Sequence, residues 1–253
     1  MLDNELHAKP EWFKDWFNSP YYHLLYKDRD EQEAKNFIDS LLLVLKPAPS
    51  ATILDLACGK GRYSRYLAEK GFYVTGVDIA EQSIRYAQQF ENEHLSFFQH
   101  DMRLPYRINY FDYIFNFFTS FGYFETEKDH LKTVVNIGKG LKPEGKFVLD
   151  YFNSYKVIKD LKPMEEKTVG GVHFHIHRSV DSEGYILKNI RFEDKGVAYD
   201  FTERVRAFNL QDFVHLFGMA NMKIAKTYGC HQLSEYNEET SDRLILVGCK
   251  SGC

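Results

Sequence analysis

The sequence has few cysteines, no long hydrophobic run and no secretory signal. Its four cysteines (Cys58, Cys230, Cys249 and Cys253) form no CxxC pair and no zinc-binding spacing, so we expect reduced thiols. The longest candidate hydrophobic segments, such as 41–45, are far too short to span a bilayer. The N-terminus lacks the basic start and apolar run of a secretory signal. We therefore expect a cytoplasmic protein with no membrane partner.

The sequence also has no excess of positive charge. It contains 32 lysines and arginines against 36 aspartates and glutamates, which gives a net charge of −4 over 253 residues. A general nucleic-acid binder needs a basic face to neutralise phosphates, so we expect no nucleic-acid partner. The length fits one large domain or one domain with an insertion.

Aromatic residues are in excess and are frequent near the N-terminus. Their spacings fit one side of a helix pair, and some are expected to pack the first helices onto a sheet. Ser19 followed by Pro20 is typical of a helix start, so a second helix is predicted from Pro20 to about Leu45. The aromatic residues concerned are Trp12, Phe13, Trp16, Phe17, Tyr21, Tyr22 and Tyr26.

From residue 52 onward, short apolar strands alternate with helical segments. Such alternation implies parallel strands with helices on both faces, which is the doubly wound, Rossmann-like α/β class. Between the two halves of this pattern, turns at 181–184 and 193–196 separate extended segments and predict an antiparallel β insertion. Strands are predicted at 52–56, 72–78, 95–100, 111–115, 146–151, 223–228 and 243–249, helices at 63–70, 81–90, 127–141 and 209–217, and a turn at 142–145.

A turn of small residues after the first strand carries the main functional signal. The run from Asp55 to Gly61 reads DLACGKG, so an acidic strand end is followed by a glycine-containing turn and a helix. Small residues at Ala57, Cys58 and Gly59 let the backbone approach a ligand closely. A pyrophosphate site favours helix N–H groups and has no carboxylate nearby. A ligand that carries an ammonium group, in contrast, can bind next to a carboxylate such as Asp55.

Three further strand ends carry residues suited to an adenosine ligand. Asp78 ends the second strand, where it can accept hydrogen bonds from ribose hydroxyls, and Asp101 after the third strand can accept from an adenine amino group. Asp101 could instead cap the following turn. The carboxyl ends of parallel strands meet at one edge, so these residues should line one site. The predicted binding residues at these ends are Asp78, Ile79, Asp101, Met102, Asn116 and Phe117.

These motifs resemble those of the class I S-adenosylmethionine-dependent methyltransferases, over about residues 50–152. The resemblance implies a seven-stranded sheet with an antiparallel last strand, S-adenosyl-L-methionine as cofactor, and Gly59 and Gly61 near its methionine part. Ala57 departs from the family, which usually has its first glycine there. The matching runs are 55–61, 77–78, 100–102, 111–112 and 141–145.

A weaker resemblance to small-molecule methyltransferases with a β-sheet over the active site implies the domain plan. Residues 1–50 would form a helical lid, 51–153 with 209–253 the cofactor domain, and 154–208 the insertion. The implied reaction is direct in-line methyl transfer to a small N or O acceptor. In the lid, Tyr26 could face the sulfonium and Arg29 the methionine carboxylate. Acceptor-side candidates are Tyr123, His100 and His175.

A histidine run and two alternative functions complete the predictions. His173, His175 and His177 alternate on one strand face, about 7 Å apart in succession, so the three cannot share one tetrahedral ion. Two of them could do so with a ligand from elsewhere, but we predict no metal site. The run from Gly59 to Ser64 is close to G-x-G-x-x-G/A, so an NAD(P)-dependent oxidoreductase stays open. A non-catalytic methyltransferase-like module is the second alternative.

Overall fold

The computed structural model describes residues 11–27 and 31–250. The strands are β1 Thr52–Leu56, β2 Tyr73–Asp78, β3 Leu95–Gln99, β4 Phe111–Asn116, β5 Leu141–Phe152, β6 Met164–Val169, β7 Val172–Val180, β8 Tyr185–Asp194, β9 Val197–Arg206, β10 Met222–Tyr228 and β11 Arg243–Lys250. The α-helices are α1 Trp12–Asn18, α2 Pro20–Leu25, α3 Glu31–Leu45, α4 Arg62–Glu69, α5 Glu81–Ala87, α6 Glu127–Gly140, α7 Ser154–Lys159 and α8 Leu210–Met219.

The main sheet has seven strands in the order β10-β11-β5-β4-β1-β2-β3. Strands β1 to β5 pair in parallel, whereas β11 is antiparallel to both β5 and β10. The change of strand order on either side of β1 and β4 creates the crevice in which open α/β sheets bind ligands. This topology confirms the predicted Rossmann-like sheet with its antiparallel last strand.

Helices cover both faces of the main sheet. Successive strand residues point to opposite faces, so Ile53 of β1 joins a buried cluster that includes residues of α3, α4 and α5, and Leu54 joins another with α6 and α8. Asn209 begins α8 with a capping box, in which its side chain accepts from Asp212 N and Asp212 accepts from Asn209 N. The core therefore lies in two layers, one on each side of the sheet.

A second sheet of order β6-β7-β8-β9 is antiparallel throughout. Its inner face packs against α1 and α2, because Trp16 and Leu25 share a buried cluster with Phe174, Ile190 and neighbouring residues of that face. The N-terminal aromatic residues thus pack mainly on the second sheet, while α3 packs on the main sheet. The sequence predicted three of these four strands and missed β6.

Several predicted elements differ in detail from the structure. The helix predicted from Pro20 to Leu45 is wrong in its continuity, because α2 ends at Leu25 and Tyr26 has non-helical φ and ψ of −106° and 21°. The turn predicted at 142–145 lies within β5 as an irregularity: Phe111 pairs with Leu141, but Tyr113 pairs with Lys146. The helix predicted at 81–90 finishes as a 3-10 turn.

The described cysteines and helices can be compared with the expected reduced thiols and the expected lack of a membrane-spanning segment. Cys58 and Cys230 are free, but Cys249 is disulfide-bonded, so the expectation of four reduced thiols is wrong. Within residues 11–27 and 31–250, no helix combines the length and the apolar character that crossing a membrane requires.

Gly76 of β2 offers a test of the packing beneath the β1 turn. A Cβ there would lie 2.5 Å from Phe97 Cδ1 and 3.0 Å from Cys58 Sγ. We expect Gly76→Ala to lower the free energy of unfolding by about 1–3 kcal/mol through overpacking. Gly218→Ala in α8, where a Cβ meets nothing within 4 Å, should raise it by about 0.5–1 kcal/mol. Urea unfolding measures the free energy of unfolding of both variants. Equal stability of Gly76→Ala and Gly218→Ala would contradict this packing.

Candidate functional site

A cavity of about 680 Å³ opens at the carboxyl ends of β1, β2 and β3. The turns after these strands form one wall, and residues of α1, α2 and the second sheet form the others. Most of the predicted site residues meet in this cavity, including the two acceptor-side candidates His100 and Tyr123. The other predicted residues in its lining are Tyr26, Asp55, Ala57, Cys58, Gly59, Asp78, Ile79, Asp101, Met102 and Phe117.

Three of the predicted residues that the structure describes do not line the cavity. Gly61 begins α4 with a φ of 75° and supports the turn from behind, where a Cβ would lie 2.5 Å from Phe97. Asn116 is buried, and its Nδ2 donates to Leu56 O at 2.8 Å, which ties β4 to the end of β1. His175 is exposed because the alternating side chains of β7 bury Phe174 instead. Arg29 lies outside the described residues.

The turn after β1 has an unusual backbone that leaves space above it. Ala57 has a φ of 64° and Gly59 a φ of 56°, both in the left-handed region that favours glycine. The φ of Ala57 accounts for the glycine that the family usually has at this position. A Cβ on Gly59 would meet no atom within 4 Å, so the cavity is open at this residue.

Asp78 links the end of β2 to this turn. Its carboxylate accepts from Gly59 N at 2.7 Å and from Ala80 N at 2.8 Å. The bonds leave lone pairs on both oxygens, because a carboxylate can accept about four hydrogen bonds. Burial raises the pKa of Asp78 despite these donors. The residue therefore shapes the turn and still offers acceptors towards the cavity.

Asp55 is a second buried carboxyl group in the lining. It accepts a hydrogen bond from the Ser64 hydroxyl of α4. Burial raises its pKa to about 7, and the nearby charge of Asp78 adds to the shift. Two carboxyl groups of this kind favour a ligand that brings positive charge to the turn.

Asp101 is engaged in a different way from the one predicted. It accepts from Arg103 N at 2.9 Å and from the Arg103 guanidinium at 2.6 Å, so it caps the turn after β3. Burial acts in the opposite direction, but the hydrogen bonds from Arg103 hold the pKa of Asp101 below its ordinary value. The turn-capping alternative is thus present in the structure, and an adenine contact would be additional to it.

The two acceptor-side candidates in the cavity already have backbone partners. Tyr123 donates its hydroxyl to Thr119 O, and its ring lies 5.3 Å from that of Trp12. The Nε2 of His100 lies 3.0 Å from Leu104 O. These contacts orient both side chains without excluding contact with a bound molecule.

One row of charged side chains crosses the inner face of the second sheet. Arg178 of β7 pairs in register with Lys188 of β8, which pairs with Glu203 of β9. All three line the cavity, whereas their neighbours on the same face of these strands, Ile176, Ile190 and Phe201, are apolar. Reading the hairpins in register could have found this row, but it was not predicted as functional.

The charged row is tied to the N-terminal helices. Glu203 accepts from Trp16 Nε1 at 2.7 Å and from the Tyr26 hydroxyl at 2.8 Å. Lys188 Nζ lies 4.6 Å from the centre of the Tyr26 ring and 4.0 Å from Glu203. Arg178 is paired with Glu165 at 2.5 Å. Tyr26 therefore already has a cationic neighbour besides any bound sulfonium.

The loop after β4 forms a further part of the lining. Phe118 and Thr119 have φ values of 61° and 58°, and the buried Asp150 holds both of them. Phe118 N donates to the Asp150 carboxylate and Thr119 N to its carbonyl, each at 2.9 Å. Arg243 donates to the same carboxylate at 2.7 Å. Burial opposes ionisation, but Arg243 and His231 hold the pKa of Asp150 below its ordinary value.

The known proteins to which this chain is similar include several methyltransferases. Residues 53–145 match the family described as Methyltransferase domain. The chain is 40% identical over 111 residues to a putative methyltransferase, YqeM, of Bacillus subtilis, which is 42% of this chain and 44% of that protein. The chain spans about half the length of the first curated relatives that it matches.

Two longer matches cover nearly all of the chain. An N,N-dimethyltransferase of dTDP-3-amino-3,4,6-trideoxy-alpha-D-glucopyranose from Streptomyces venezuelae is 27% identical over 235 residues, 90% of this chain and 95% of that protein. A crystal structure of an S-adenosylmethionine-dependent methyltransferase from Clostridium acetobutylicum has a TM-score of 0.77 at 20% identity, covering 92% and 96%. Other relatives are named as mRNA cap guanine-N(7) methyltransferases.

These comparisons agree with the resemblance drawn from the strand-end motifs. The matched domain contains β1 to β4 and the turns that hold Asp55, Asp78 and Asp101. The wider match in fold includes the second sheet, since it covers 92% of the chain. Residues 53–145 thus match a methyltransferase domain, and the chain shares the fold of solved S-adenosylmethionine-dependent methyltransferases.

Proposed function

We propose that this chain transfers the methyl group of S-adenosyl-L-methionine to a nitrogen or oxygen atom of a small molecule. The observation that carries the proposal is one cavity that joins the strand-end carboxyl groups to the charged row of the second sheet. One end suits the cofactor and the other a polar acceptor. A cytoplasmic location and the division into lid, cofactor domain and insertion remain predictions.

The residues at the strand ends fit the cofactor in shape and charge. Gly59 leaves open space, Asp78 has lone pairs for ribose hydroxyls, and Asp55 can attract an ammonium group. Asp101 and Met102 stay our choice for the adenine, and Gly61 supports the turn from behind. When bound, S-adenosyl-L-methionine supplies a methyl group activated by a positively charged sulfur.

The chain's own task is then to position the acceptor and to exclude water. α1, α2 and the second sheet cover the cavity with aromatic and apolar side chains, so a bound acceptor would be held in a dry, fixed place. Ideal alignment of two bound reactants can lower a barrier by about 7–11 kcal/mol. An amine acceptor need only arrive deprotonated, whereas a hydroxyl also requires a base.

A small molecule is favoured over RNA as the acceptor. The charged row lies inside the cavity, the chain has a net charge of −4, and the Streptomyces relative that matches along its length is named for an amino-sugar substrate. The direct experiment is to incubate the chain with methyl-labelled cofactor and a cell extract that has been separated into metabolite and RNA fractions. Label in a small-molecule fraction supports the proposal, and label only in RNA contradicts it.

Asp78→Ala tests the ribose assignment. We expect binding of S-adenosylhomocysteine to weaken by about 2–4 kcal/mol, because hydrogen bonds to a charged acceptor are lost. Isothermal titration calorimetry measures the affinity, and circular dichroism verifies that the variant folds. Unchanged affinity in a folded variant would remove the assignment.

The pKa of Asp55 predicts a pH dependence of cofactor binding. A folded pKa of about 7, above the usual 3.8, means that the stability contributed by Asp55 falls as pH rises from about 4 to 7. An ammonium ligand favours the ionised form, so affinity for S-adenosylhomocysteine should rise by up to about tenfold between pH 6 and 8. Asp55→Asn should flatten this rise. Calorimetry at three pH values measures it, and a flat wild-type profile would contradict the ammonium contact.

Lys188→Met tests the acceptor end of the cavity. Loss of a charge-assisted hydrogen bond should raise the KM for the acceptor by about tenfold or more, with little change in affinity for S-adenosylhomocysteine. The matched control is Lys162→Met, an exposed lysine before β6 that is absent from the lining. Equal KM values for the two variants would show that the charged row does not contact the acceptor.

A further inference from the structure

A second group of convergent polar side chains lies on the outer face of the four-stranded sheet. His173 and His175 share the exposed face of β7, and their ring centroids are 4.6 Å apart. Glu166 of β6 stands opposite His175 in register. Its carboxylate oxygens lie 3.5 Å from His173 Nε2 and 3.2 Å from His175 Nδ1. None of the three lines the cavity.

We propose that Glu166, His173 and His175 bind a divalent transition-metal ion of the zinc class. One ligand atom from each residue lies within 4.8 Å of the others. Tetrahedral coordination with bonds of about 2.0–2.1 Å separates ligand atoms by about 3.4 Å, so only a small contraction is needed. The side chains are 50–64% exposed and can make that movement. Water can complete the coordination.

This set of ligands avoids the spacing problem of a site made of histidines alone. Three successive histidines on a strand are spread too far to share an ion, but Glu166 on the neighbouring strand takes the place of the third. Two imidazole nitrogens and one carboxylate oxygen suit zinc, cobalt, nickel or copper better than magnesium or calcium, which prefer all-oxygen sites.

Thr168 supplies the orienting contact that metal-binding histidines usually have. It stands opposite His173 in register, and its hydroxyl lies 2.8 Å from His173 Nδ1. This contact turns the other ring nitrogen, Nε2, towards Glu166 and leaves it available to an ion. An ion held by Glu166 and the histidines would fix β6, which is the edge strand, to β7.

The test is calorimetric titration of the tag-free full chain with zinc chloride. We expect saturable binding of one ion per chain, weakened by about tenfold or more in His173→Asn and in Glu166→Gln. His177→Asn is the matched control, because His177 lies on the same face but stands opposite Met164, and it should bind zinc as the wild type does. Cys230→Ser, which removes a free thiol, should also bind normally.

Three outcomes would overturn the proposal. They are no saturable binding by the wild type, an equal loss in His177→Asn, or a loss confined to Cys230→Ser. Affinity for S-adenosylhomocysteine is measured on the same variants and should be unchanged, which shows that they are folded. Failure of the zinc site is thereby distinguished from failure of the methyltransferase proposal.

Discussion

The hydrogen bond from Gly59 N to the Asp78 carboxylate is the contact on which the candidate cofactor site depends. It joins the turn after β1 to the end of β2, and it holds Gly59 in a left-handed conformation at the open side of the turn. Ala57 and Gly61 support the same turn with positive φ values. These left-handed residues have a cost in conformational free energy. It is offset by the buried Asp78 carboxylate, which accepts hydrogen bonds from two backbone N–H groups.

The loop after β4, which also lines the cavity, depends on a comparable contact. Asp150 accepts from Phe118 N and Arg243, and so holds the loop after β4 to the last strand of the sheet. The two buried aspartates play the same part at different strand ends: each fixes a loop that the main chain alone would not favour. The parallel sheet then sets the distance between the two loops, which is why the cavity has a defined shape.

Much of the main domain could be predicted from local pattern, and the second sheet only in part. Alternating apolar strands and helices, and the acidic strand ends at Asp55 and Asp78, are visible in sequence because each obeys a short-range rule. Strand β6 was missed because Met164–Val169 carries three consecutive charged residues and no clear alternation. The break after α2 was missed because no glycine or proline lies between Leu25 and Glu31 to mark it in the sequence.

The charged row at the acceptor end of the cavity was not predicted, for a different reason. Arg178, Lys188 and Glu203 come from three strands, and only their register brings them into one row. Asp101 shows the converse: the acidic strand end was recognised, but its partner Arg103, two residues away, takes up much of its hydrogen-bonding capacity. Strand periodicity correctly separates the inner and outer faces of β7, yet it does not show which neighbouring strand completes a site.

The most direct test of the account is a crystal structure of the chain with S-adenosylhomocysteine. We predict that the ribose hydroxyls lie on the Asp78 carboxylate and the amino-acid part beside Gly59, with open cavity remaining towards Lys188. A ligand bound elsewhere, or a cavity that stays closed to it while accepting a nicotinamide dinucleotide, would contradict the account.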